Sequence, residues 1–251
     1  MSGVRTEHFP GHDGARLALH RMGSGRPVIL LHGLFSSADM NWIRFGHAQA
    51  LAEAGFEALM PDLRAHGQSE APHDPAAYPH DVLVRDFEAL VAHLGLGDCD
   101  LVGFSLGGRT ALRAAIVGAT PRKLVLAGMG LEGLVDWERR IAFFRDAIAR
   151  FGTIKPGDRA YFAQQFMKTM NVDRVATGLL LATMDDTDPA DFARVRMPTL
   201  VLCGSDDRDN GSSEALAAAL PNAGHRFVPG THMSSVTKPE LGREIVSFLT
   251  A

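Results

Sequence analysis

The chain has 251 residues, 46% of them hydrophobic and 22% charged, which is enough to bury one large core or two small ones. Its 25 Lys and Arg against 29 Asp and Glu leave a formal charge of −4, too balanced for a protein that grips a phosphate backbone, so nucleic acid is not an expected partner. The first ten residues carry charges without an apolar run, and nowhere do about 18 apolar residues follow one another as a membrane span requires; the expectation is a soluble, unexported, cytoplasmic protein with no membrane partner.

In chain order, residues 16–22 partly alternate and precede Gly23-Ser24-Gly25, which predicts an antiparallel hairpin strand at the start of the fold. Short apolar runs that end in loop residues follow at 27–31, 56–60, 100–103, 123–127, 199–203 and 225–228. Helical periods lie between or after them at 41–54, 81–94, 106–117, 213–220 and 239–249. In 81–94, for example, Leu83, Phe87, Leu90, Val91 and Leu94 form one stripe that can cover a sheet face. Strands alternating with helices predict an α/β fold, a mostly parallel central sheet with helices on both faces. Cys99 and Cys203 each sit in an apolar run, which excludes a disulfide framework, suits a reducing compartment and reads as two small buried hydrophobes.

The alternation breaks over residues 129–190, where 137–151 and 161–184 look helical and no strand intervenes. These residues read as a small helical lid inserted into a core made of residues 1–128 and 191–251. The alternative is that the same helices simply flank the sheet. Phe143, Phe144, Phe151, Tyr161, Phe162, Phe166, Met167, Met170 and Met184 make the insertion rich in aromatic and methionine side chains. Most of these pack lid against core, and the rest line a pocket; Phe143, Phe144, Phe162 and Phe166, with Phe35 from the core, are the substrate-binding candidates. The arginines of the insertion, Arg139, Arg140, Arg145 and Arg174, are either solvated helix charges or a grip for a substrate carboxylate.

The sharpest feature is Gly103-Phe104-Ser105-Leu106-Gly107, which joins the strand ending at 103 directly to the helix beginning at 106. In that strand–turn–helix context the serine occupies a tight, strained turn and projects its Oγ above the strand end, while residues 103 and 107 must be small because Cβ atoms there would collide. A hydroxyl is a poor nucleophile by itself, so a base and a stabiliser of negative charge are needed elsewhere. The competing reading, a glycine-rich phosphate loop, lacks both Gly-x-x-x-x-Gly-Lys and Gly-x-Gly-x-x-Gly. Upstream, His32-Gly33-Leu34-Phe35 follows a strand end, where the N–H of Leu34 can join that of Leu106 as an oxyanion hole. His32 precedes the nucleophile and fits a structural role better than that of base. After Ser105, the strand at 199–203 ends in Gly204-Ser205-Asp206-Asp207-Arg208-Asp209, and the strand at 225–228 ends in Pro229-Gly230-Thr231-His232. Both groups stand at strand ends on the edge that holds Ser105, in the order serine, acid, histidine. Asp207 is the preferred acid, with Asp206 and Asp209 as competitors. His225 begins its strand, at the edge opposite Ser105, and reads as a surface or core histidine.

Taken together these residues resemble the α/β-hydrolase superfamily, over nearly the whole chain. The marks are His32-Gly33 after a strand, Asp62-Leu63-Arg64-Ala65-His66-Gly67-Gln68-Ser69, the Gly103–Gly107 motif, and the late Asp and His. Asp207 stands three residues beyond the strand-ending Gly204, and Pro239 seven beyond His232, as is common in the family. Thr231 and Ala65 depart from it, each standing where glycine is usual. The resemblance implies the serine branch, because members similar to haloalkane dehalogenases and epoxide hydrolases carry an aspartate at position 105. It implies a catalytic Ser105–His232–Asp207 set, an oxyanion hole at Leu34 and Leu106, no cofactor, and a small to medium, largely apolar carboxylic ester or lactone as substrate. Carbon–carbon bond hydrolysis and cofactor-free perhydrolysis are alternatives within that branch, and a non-catalytic receptor is one outside enzymes. No catalytic metal is expected: among eleven histidines there is no His-Glu-x-x-His, and Pro10 separates His8 from His12.

Overall fold

A computed structural model describes residues 3–251; the first two residues of the core expected from sequence lie outside that range. The chain begins with strands β1 (Arg5–Pro10), β2 (Arg16–Gly23) and β3 (Arg26–Leu31), then a π-helical turn at Asp39–Ile43 and helix α1 (His47–Glu53). Next come β4 (Phe56–Pro61), α2 (Val82–Leu94), β5 (Asp100–Phe104), α3 (Leu106–Val117) and β6 (Leu124–Ala127). Four helices follow without a strand: α4 (Glu132–Val135), α5 (Trp137–Ala149), α6 (Tyr161–Thr169) and α7 (Arg174–Leu181). The chain then returns to the sheet with β7 (Thr199–Gly204), α8 (Ser213–Ala219), β8 (Ala223–Val228), α9 (His232–Ser235) and α10 (Pro239–Thr250).

The eight strands form one sheet in the order β1-β2-β4-β3-β5-β6-β7-β8, antiparallel for β1–β2 and β2–β4 and parallel from β4 onward. Every residue of β5, β6 and β7 is buried, as expected of parallel strands covered on both faces. Side chains alternate between two apolar cores. On one face Ile29, Leu31, Leu101 and Leu126 meet α2 and α3; on the other Val28, Leu30, Val102 and Leu202 meet α1 and α10. Because β5, β7 and β8 run parallel, the loops that follow them emerge at one edge, which is what brings residues 105, 207 and 232 within reach of one another. Among the described residues no helix is long and apolar enough to cross a membrane.

Four local expectations are corrected. Strand β1 carries no apolar pattern, since only Phe9 of its six residues is buried; the ladder to β2 holds it at the sheet edge. Its hairpin turns at Gly11–Gly14, where the Gly11 N–H donates to the Ala15 carbonyl at 2.7 Å, whereas Gly23-Ser24-Gly25 leads to β3, which β4 separates from β2. The helix expected at 41–54 is broken, because Gly46 adopts φ 82° between the π turn and α1. The helix expected at 161–184 is two helices: Asn171 turns left-handed at φ 49°, and Asp173 then caps α7 by accepting the N–H groups of Val175 and Ala176.

Candidate active site

Ser105 sits between β5 and α3 at φ 54° and ψ −113°, a conformation that a non-glycine residue holds only where its surroundings enforce it. Here its N–H donates to the Ala127 carbonyl at 2.8 Å. A Cβ on Gly103 would strike the Gly107 carbonyl, and one on Gly107 would strike the Leu31 carbonyl. The turn is therefore closed to any side chain at either position.

His232 opens α9, and its imidazole spans the two other groups. Nδ1 lies 2.8 Å from Asp207 Oδ2 and Nε2 lies 3.1 Å from Ser105 Oγ. Since an ionised carboxylate only accepts, Nδ1 carries the proton and the unprotonated Nε2 accepts from the serine hydroxyl. Burial pushes the Asp207 carboxyl up, but its hydrogen bond with and electrostatic attraction to the His232 ring, the Asp209 N–H and the Arg140 guanidinium outweigh burial and leave it below the ordinary carboxylate range. Asp206 and Asp209 do not reach the ring. The Asp206 carboxylate meets Ser205 Oγ at 3.3 Å, and that of Asp209 faces solvent, 4.0 Å from Arg140. The acid and histidine loops are tied backbone to backbone, as the Ser205 N–H donates to Val228 at 2.8 Å and the Asp206 N–H to Gly230 at 3.0 Å. Thr231 has a purpose that glycine lacks: with Ser234 it forms a capping box that fixes the first turn of α9, and so the ring of His232.

The loop after β3 is held open by its own hydrogen bonds. The Gly33 N–H donates to Asn41 Oδ1 at 3.0 Å, the Phe35 N–H to His66 Nε2 at 3.1 Å, and the Ser36 N–H to the Gly33 carbonyl at 3.2 Å. That leaves the Leu34 N–H, with the Leu106 N–H at the start of α3, without a partner among the described residues. His32 does not meet Ser105. It is fully buried, its Nδ1 is 2.8 Å from the Gly33 carbonyl, and its Nε2 accepts the Leu63 N–H at 2.9 Å. Asp62 accepts the N–H groups of Ala38 and Gln68, both at 2.8 Å, so the 62–69 motif is a scaffold that fastens this loop. Ala65 within it takes the left-handed φ of 67° that its departure from glycine leaves unrelieved.

Leu34, Ser105 and His232 open onto a cavity of about 210 Å³. Asn41, Phe104 and Val236 are its buried lining, Met40, Phe45 and Phe166 of α6 its half-buried lining, and the exposed Met233 its rim. Of the five aromatic candidates only Phe166 reaches it. Phe35 packs its ring edge-on against Phe144 at 5.6 Å, Phe144 against Phe143 at 5.2 Å, and Phe162 is 79% exposed. The rings of Phe35, Phe143 and Phe144 seat the helical segment on the loop after β3 instead. Sequence reasoning missed Met40, Phe45 and Met233; the available signal for Met233 was an apolar side chain directly after His232 in an otherwise polar turn. None of the four arginines Arg139, Arg140, Arg145 and Arg174 lines the cavity. Arg139 pairs with Asp136 at 2.6 Å, while Arg140 and Arg174 lie over the rings of Phe144 and Phe151, at 5.0 and 4.2 Å.

Two other constellations offer no competing chemistry. His12, Asp13 and Asp86 converge at metal-like distances, yet the Arg64 guanidinium already bridges both carboxylates at 2.7 and 2.8 Å and supplies the positive charge an ion would bring. Burial, then Asp100 and Asp98, push the Cys99 thiol up to about 11, and burial with Asp207 pushes Cys203 to about 12, so neither is a thiolate at neutral pH.

Residues 26–146 match the family described as alpha/beta hydrolase fold. A non-heme haloperoxidase of Rhodococcus erythropolis is 28% identical, over 94% of this chain and 97% of the relative. Among solved structures, a hydrolase from Pseudomonas aeruginosa PA01 superimposes with a TM-score of 0.75 at 26% identity, over 98% of this chain and 99% of the other. A thermophilic esterase from Thermogutta terrifontis has the same fold, with a TM-score of 0.78 at 24% identity over 98% of each chain.

Proposed function

Because the chain belongs to the α/β-hydrolase superfamily, we propose that it is a serine hydrolase that cleaves a small to medium, largely apolar carboxylic ester or lactone through an acyl-enzyme. The observation that carries this reading is His232 bridging Asp207 at 2.8 Å and Ser105 at 3.1 Å at the base of an open cavity. Asp207 holds the ring in the tautomer whose Nε2 is free to accept, and compensates the imidazolium that forms. As Ser105 Oγ attacks the carbonyl carbon, its proton passes to Nε2, and the Leu34 and Leu106 N–H groups receive the developing oxyanion. His232 then returns the proton to the leaving oxygen. In the second half it takes a proton from water, which attacks the acyl carbon and restores Ser105.

The cavity supports the substrate class. Among the described residues its lining contains no charged side chain beyond the imidazole, so an acyl group bearing its own carboxylate would be desolvated there without a cation to meet it. That favours a neutral ester or lactone over a substrate gripped by the insertion's arginines. At about 210 Å³ the site suits a short acyl chain rather than a long lipid. The test is covalent labelling by a fluorophosphonate, read by peptide mass, beside hydrolysis of p-nitrophenyl esters. Labelling at Ser105 with ester turnover is expected; an unlabelled protein that turns over no ester overturns the reading.

A further inference from the structure

Within this largely apolar cavity two buried side chains present polar atoms that no protein group engages. Asn41 is 2% exposed and forms part of the cavity lining with Ser105. Its amide orientation is determined by chemistry, since the Gly33 N–H donates to it at 3.0 Å; the atom facing Gly33 is therefore Oδ1, and the NH₂ end points away. That Nδ2 has no hydrogen-bond partner among the described residues and is not sealed in protein. Ser36, 5% exposed, borders this cavity and also the one lined by Ala65, His66 and Asn171, and its Oγ is likewise without a partner among the described residues.

The local backbone gives Asn41 this place. Residues Asp39–Ile43 form a π turn, closed by the Arg44 N–H to the Asp39 carbonyl at 2.9 Å. Such turns are rare and recur at functional sites. Here the turn buries Asn41 and Trp42 side by side, with the amide against the oxyanion loop.

An alkyl chain filling the cavity would strip solvent from Nδ2 and leave a buried donor unpaired, which weakens a ligand by about ten- to a hundredfold relative to one that satisfies the donor. We infer that the substrate carries an oxygen acceptor, as an ether, hydroxyl or oxo group, within a few atoms of the scissile carbonyl, and that Asn41 Nδ2 donates to it with Ser36 Oγ alongside. This specificity rests on the serine-hydrolase reading of the same site.

The test uses isosteric ester pairs: p-nitrophenyl methoxyacetate against butanoate, and 3-methoxypropanoate against pentanoate. For each pair the kcat/KM ratio is divided by the ratio for hydroxide hydrolysis, which removes the electronic effect of the ether oxygen. In the wild type the corrected ratio should favour at least one ether about tenfold. It should fall to about one in Asn41→Asp, which keeps an acceptor for the Gly33 N–H but has no donor, and fall severalfold in Ser36→Ala. A wild-type ratio near one overturns the inference. So does a loss in Asn41→Asp that is equal for both members of a pair, which would make Asn41 a support of the oxyanion loop alone. If Asn41→Asp does not fold, the wild-type ratio and Ser36→Ala decide. If fluorophosphonate labels Ser105 and the alkyl esters turn over while the ratio stays at one, only this inference fails. If Ser105 is unlabelled and no ester turns over, the hydrolase reading fails and takes this inference with it.

Discussion

His66 Nε2 accepts the Phe35 N–H at 3.1 Å, and its Nδ1 stands 2.9 Å from the Arg64 carbonyl. The ring must therefore be neutral, with the proton on Nδ1, and His32 behaves alike toward Gly33 and Leu63. Burial and then the neighbouring His32 hold His66 down to about 3, and burial lowers His32 as well. A depressed histidine stabilises the fold above its unfolded value of about 6.5 and loses that contribution as pH falls toward the folded value. Urea unfolding should show stability falling between about pH 6.5 and 4 by up to about 1.4 kcal/mol per pH unit for the His66 ring, with His32 acting in the same direction. His66→Gln should have the shallower slope. A wild-type stability that is level across that window would contradict this account of the loop.

Ser105→Ala should retain the fold and lower kcat by something on the order of 10⁶. Because residue 105 is held at φ 54°, Ser105→Gly should be equally inactive yet more stable than Ser105→Ala by about 1 kcal/mol. Activity of either variant within tenfold of wild type removes Ser105 from the mechanism, and equal melting temperatures for the two remove the strain.

The acid assignment separates by geometry. Asp207→Asn should lower kcat by about 10⁴, since the amide no longer compensates the imidazolium or selects its tautomer. Asp206→Asn and Asp209→Asn, whose carboxylates do not touch His232, should stay within tenfold. The reverse ranking would reassign the acid.

Chain-length preference should follow the cavity wall. Each methylene buried should raise kcat/KM by up to about fourfold, from about 0.8 kcal/mol per CH₂, until the cavity is filled. Phe45→Ala and Met233→Ala, which enlarge it, should move the optimum to longer acyl esters. Phe162→Ala, at an exposed position, should leave the optimum unchanged. An optimum that moves with Phe162 and ignores Phe45 and Met233 would place the acyl chain outside this cavity.

Features decided within a few consecutive residues could be read from the sequence. The collision of Cβ atoms at Gly103 and Gly107 is a property of one turn, so the strand–serine–helix junction announces itself, and parallel strands that all end at one edge make Asp206, Asp207, Asp209 and His232 neighbours by strand direction alone. Choosing among the three aspartates required the direction of a side chain within a turn, and there Asp207 alone meets the ring. Strand β1 left no trace in the pattern, because an edge strand with one buried side chain owes its place to ladder bonds from β2. The pocket was decided by tertiary structure. Phe162 and Phe166 lie one turn apart on the same face of α6, yet one is exposed and the other lines the cavity, according to which turn of that helix the rest of the lining reaches. Asn41 reads as part of an ordinary helix, and only the π turn packed against Gly33 brings its amide into the cavity. Local sterics and strand direction act along the chain and are written in its order, whereas the lining of a cavity depends on the relative placement of elements far apart in sequence, which many side-chain patterns satisfy equally well.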